Sequence, residues 1–184
     1  MKAVLVVCIL LMIAGTAHAQ APGVGLPFSV KFGVFGGVSL PTSDLGTIDN
    51  TGWNAGAKLR FSGLMPLNIV VAGTYNRLPN NQGGNSDVIW SGSAGLEYPI
   101  SMPFVSPYLG IDALVNTLTN TASGAPSNTR EGLALGGGAD ISLPIIGSFD
   151  VGVKYQFLNM IGKDTNEKTA SQVIGTVAIM LGGV

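Results

Sequence analysis

At 184 residues the chain has room for one domain or two small ones. Only 10% of its residues are charged and 46% are hydrophobic, with a mean hydropathy of +0.43, whereas an ordinary soluble domain covers its surface with about 25% charge. A formal net charge of −1 leaves no basic patch and argues against nucleic acid as a partner.

The predicted elements begin with a targeting segment over residues 1–19. Met1-Lys2 is a short positive start, and "AVLVVCILLMIAG" is an apolar core too short to span a bilayer comfortably. Ala17 and Ala19 in "TAHAQ" supply the small-x-small pattern that signal peptidase reads. Cleavage is expected after Ala19, leaving residues 20–28 as a short N-terminal segment. It removes Cys8 and His18, the single cysteine and the single histidine. The mature chain then offers no disulfide, thiol nucleophile, imidazole base or His/Cys metal site. No catalytic residue, cofactor or metal is expected.

From residue 29 onward apolar and small or polar residues alternate, as in "GSFDVGVKYQF" at 147–157. A period of two marks β-strands with unlike faces. Eight are predicted, at about 29–40, 53–63, 67–78, 87–98, 105–116, 131–143, 148–158 and 171–181. Polar loops follow the odd strands, at 41–52, 79–86, 117–130 and 159–170. The links "GLMPL", "PISMPF" and "LPIIGS" follow the second, fourth and sixth. Long loops at one end and short turns at the other describe an all-β, eight-stranded, antiparallel up-and-down barrel over 29–184. Closure removes both exposed edges.

One face carries Val30, Phe32, Val34, Val38, Ala57, Leu59, Phe61, Leu109, Ile111, Leu135, Val177 and Ile179. The other carries Gly33, Gly37, Ser39, Gly56, Thr74, Ser91, Gly95, Gly136, Gly138 and Gly152. The first face is too bulky for eight strands to enclose, and the second suits a crowded interior. The apolar face therefore points outward, and the solvent that fits it is lipid. Outward aromatics fall at two heights: Phe32, Phe61, Tyr98 and Phe149 near the turns, and Trp53, Tyr75, Trp90, Tyr155 and Phe157 nearer the loops. Two such girdles flank the aliphatic band of a membrane barrel.

The inward face carries Lys31, Lys58, Arg60 and Lys154 against Glu97, Asp112, Asp140 and Asp150, four of each sign. Lone charges there are costly, so pairing is expected. Two readings stand: an ion pathway or gate, and a static network that plugs and stiffens the barrel. The second is favoured, because eight strands leave room only for side chains. Val70, Ala72, Ile89, Leu114, Ile174, Ala178 and Met180 also point inward, as packing or as the lining of a small apolar pocket. Arg77 alone looks out of place on the outward parity, at the loop end where a long side chain reaches lipid headgroups.

With its signal peptide, strand count, loop asymmetry and "SPYLGIDA" segment at 106–113, the chain resembles the small eight-stranded outer-membrane barrels of Gram-negative bacteria. These include the transmembrane domain of outer-membrane protein A and its X-type relatives. The resemblance implies a cell-envelope protein in outer-membrane lipid, handled by periplasmic chaperones and the barrel-assembly machinery. It departs at the C-terminus, "AIMLGGV", where the group usually ends in an aromatic residue. The expected function is a non-enzymatic barrel with a plugged polar interior, serving envelope structure or surface contact through the four loops. The alternative is a narrow channel or transporter for small or hydrophobic solutes. "KDTNEK" at 163–168 lacks the ligand spacing of a calcium loop.

Overall fold

The computed structural model describes residues 29–63, 66–81, 83–120, 128–143, 147–163 and 167–182; the targeting segment and residues 20–28 lie outside them. The elements are β1 Ser29–Ser43, α1 Leu45–Ile48, β2 Gly52–Ser62, β3 Asn68–Pro79, β4 Ser86–Pro99, β5 Val105–Asn120, β6 Asn128–Leu143, β7 Gly147–Ile161 and β8 Ala170–Gly182. Each strand pairs antiparallel with the next, and β1 pairs with β8 from Lys31↔Gly182 to Ser43↔Ala170, so the barrel closes in sequence order.

Closure sorts the side chains as the alternation requires. Along β1, Phe32, Val34 and Val38 are exposed while Gly33 and Ser39 are buried. Along β7, Phe149, Val151 and Val153 are exposed while Asp150, Gly152 and Gln156 are buried. Among the described residues no helix is long and apolar enough to cross a membrane. Gly63 at φ +96° and Gly147 at φ +113° take left-handed backbone at two short turns, which other residues resist.

The loop ends differ from the expectation. β1 runs on to Ser43, β5 to Asn120, β7 to Ile161, and β6 starts at Asn128, so the long loops are shorter than 41–52, 117–130 and 159–170. Here the ladder continues after the apolar band stops. In β1 and β6 both faces become polar at Thr42, Ser43, Asn128 and Thr129, and the alternation that marks a strand disappears; in β7 it breaks at Asn159, Met160 and Ile161. Hydroxyl contacts tie these extensions, with Thr117 Oγ1 3.3 Å from Thr129 Oγ1 and Thr42 Oγ1 3.0 Å from Ser171 Oγ. A bulge between Glu131 and Leu133 shifts the β6–β7 register. The first loop also holds the single turn α1.

Candidate functional site: the barrel interior

The interior is layered from the short-turn end to the loop end. At the turn end a cavity of about 190 Å³ is lined by Lys31, Arg60, Ser62, Asn68, Pro99, Ser106, Tyr108, Asp140 and Ser142. Its floor is the charge layer.

All eight charges expected on the inward face lie in ion pairs. Arg60, 3% exposed, is the hub. Its Nε donates to Glu97 Oε2 at 2.8 Å and its Nη1 to Asp140 Oδ2 at 2.7 Å, while Nη2 donates to Asp150. A planar guanidinium presents five donors in a rigid fork, and three carboxylates from β4, β6 and β7 share it. Lys58 Nζ adds a 2.5 Å contact to Asp150 Oδ1, and Lys31 Nζ lies 3.3 Å from Asp140 Oδ2. Lys154 Nζ holds Asp112 Oδ2 at 2.7 Å as a separate pair.

Tyr108 completes the layer, and the sequence reading missed it. Its hydroxyl donates to Asp150 Oδ1 at 3.0 Å, and Arg60 lies 5.1 Å above its ring centroid. Two glycines clear the space. A Cβ on Gly138, its partner on β6, would sit 2.6 Å from the Tyr108 hydroxyl, and one on Gly152 would sit 3.0 Å away. A large inward aromatic opposite a run of glycines was the available signal.

Above the charges comes an amide and hydroxyl layer. Asn54 Nδ2 donates to Val38 O at 2.8 Å and Ser39 Oγ at 3.1 Å, and Ser39 Oγ donates to Asn76 Oδ1 at 2.9 Å. Gln172 Nε2 donates to Gln156 Oε1 at 2.7 Å, and Asn116 Nδ2 to Leu158 O at 2.8 Å. Near the loop end Leu78, Ile89 and Leu158 are fully buried and pack together, with Leu45 of α1 against them. The inward apolar residues elsewhere are packed: Val70, Leu114, Ile174, Ala178 and Met180 are all buried. A Cβ on Gly33 would lie 2.2 Å from Met180 Sδ, so that side chain fills the room glycine leaves.

The outward aromatics occupy both ends of the wall. Near the loops, Trp53, Tyr75 and Trp90 form a continuous cluster, with ring centroids 5.3 Å and 4.8 Å apart, and Tyr155 meets Phe157 at 4.8 Å. Near the turns, Phe32, Tyr98 and Phe149 are exposed on the outer wall, and Phe61 pairs with Val30. Arg77 is exposed beside Trp53 in register, with its Nε 3.4 Å from Ser86 Oγ. Among the described residues no group of three or more His, Cys, Asp or Glu is placed to hold a metal ion.

No protein-family model matches the chain. Comparison with curated proteins gives no significant match. Solved structures do match. The crystal structure of Neisserial surface protein A (NspA) aligns over 84% of this chain and 97% of its own, with 19% identity and a TM-score of 0.59. The N-terminal β-barrel domain of Pseudomonas aeruginosa OprF aligns over 83% and 97%, with 13% identity and a TM-score of 0.52. The likeness is one of fold. This chain shares the small eight-stranded barrel of these proteins.

Proposed function

We propose that the chain is a non-enzymatic outer-membrane barrel whose interior is closed by its own side chains, and that it serves envelope structure or contact at the cell surface. The outer wall carries this reading. Val34, Leu109, Val115, Val153 and Val177 are each more than half exposed and belong to an apolar wall of a kind soluble monomers rarely present to water. The aromatic clusters border that band, where a barrel meets the two membrane interfaces. The OprF domain shares the fold, and its host is a Gram-negative bacterium.

The closed interior rests on the pairing of the charge layer. Arg60 contacts three carboxylates at once, and the leucine cluster stands above it. The alternative, a narrow channel, is favoured by the cavity at the turn end, which ends at Arg60. Purified barrel in a planar bilayer separates the two. The closed reading expects no stable single-channel steps; regular steps at fixed amplitude support the channel.

A further inference from the structure

We propose that Asp49 and Asp87 form a proton-operated latch that holds the first loop across the mouth of the barrel. Loop 1 is laid over the β3–β4 hairpin by backbone bonds. Asn50 N donates to Pro79 O at 2.7 Å, Asn81 N donates to Ile48 O at 2.8 Å, and Asp49 pairs with Asn80 as an isolated bridge. Asp49 N also closes α1 by donating to Leu45 O at 2.9 Å. This geometry sets Leu45 on Leu78, Ile89 and Leu158.

The Asp49 side chain is 2% exposed. No donor among the described residues reaches either of its oxygens. Its neighbour is the carboxyl of Asp87, which β4 turns inward in register with Leu78. Two carboxylates are acceptors only, so a hydrogen bond between them needs one proton on the pair.

The surrounding charges are placed as follows. On α1's flank, Asp44 accepts from Thr169 N at 3.0 Å. On β3, Arg77 faces outward with its Nε toward Ser86. On β6, Arg130 pairs with Glu167 at 2.8 Å across the mouth. Burial and then the negative charge of Asp87 push Asp49 from 3.8 to about 7. A folded value above the unfolded one means the contribution to loop stability is full below about pH 4 and is lost as pH rises through about 7. Above that pH two negative charges lie side by side, Asp49 buried and Asp87 half-buried. The latch opens, and Leu45 is free to lift from the leucine cluster.

Amide hydrogen exchange on the refolded protein in micelles tests this, with rates corrected for base catalysis. In the native chain the Asp49, Asn50 and Asn81 amides should lose protection about tenfold between about pH 5.5 and 8.5, while mid-strand amides hold. Asp49→Asn keeps a donor toward Asp87 without a proton to lose, and should hold protection at both pH values. Equal loop protection at both pH values in the native chain would overturn the latch. So would the same loss in Asp49→Asn, or an Asp49 carboxyl carbon shift that titrates near 4.

Discussion

Replacing Arg60 with alanine is expected to destabilise the barrel by ~3–5 kcal/mol, because it strands buried charge rather than removing a surface pair. Glu97 and Asp150 are 1% and 0% exposed, and Arg60 is a donor to both. Lys58 still reaches Asp150 and Lys31 still reaches Asp140, but Glu97 loses its ion pair with Arg60. Arg60→Lys should recover only part of the loss, since one ammonium cannot span carboxylates on β4, β6 and β7 in the way a fork does. Denaturant unfolding in micelles, followed by heat-modifiable gel mobility, measures both. An Arg60→Ala barrel as stable as the native one would mean that the network adds nothing to the fold.

The second large effect belongs to the opposite face. Val34 is 54% exposed and sits between Ala57 and Ile179 in register, midway up the wall. Val34→Arg is expected to cost ~2–4 kcal/mol if this position meets the bilayer midplane. On a water-facing strand an exposed Val→Arg exchange stays within about ±0.5 kcal/mol. Equilibrium unfolding in lipid vesicles separates the two values. The same exchange at Val38, paired with Trp53 at the aromatic cluster, should cost less, because an arginine there reaches headgroups.

These two faces explain what the sequence made legible. Alternation has a strict period of two, so parity alone assigned Val34 outward and Arg60 inward, and the loop asymmetry ordered the strands. Parity says nothing about which charges meet. Arg60 and Asp140 are 80 residues apart, and only closure of β1 on β8 carries β2 across the lumen to β6 and β7. Tyr108 was overlooked for a related reason: its meaning depends on Gly138 and Gly152, which lie on strands that pairing alone brings beside it. At the loop ends the signal itself fades. Ser43 and Asn128 continue ladders whose two faces are both polar, so they read as loop. α1 spans four residues, too few for helical periodicity to register, and Leu45 then looks like an isolated loop hydrophobe.

The central claim is that the wide apolar face meets lipid. The chain's two tryptophans, Trp53 and Trp90, report on it directly. Both are about half exposed on the outer wall and belong to one cluster near the loops. In vesicles carrying quenchers at defined acyl-chain depths, their fluorescence should be quenched strongly by a shallow lipid-borne quencher, less by one at the bilayer centre, and weakly by aqueous iodide. Full quenching by iodide with none from either lipid-borne quencher would place that wall in water and contradict the account.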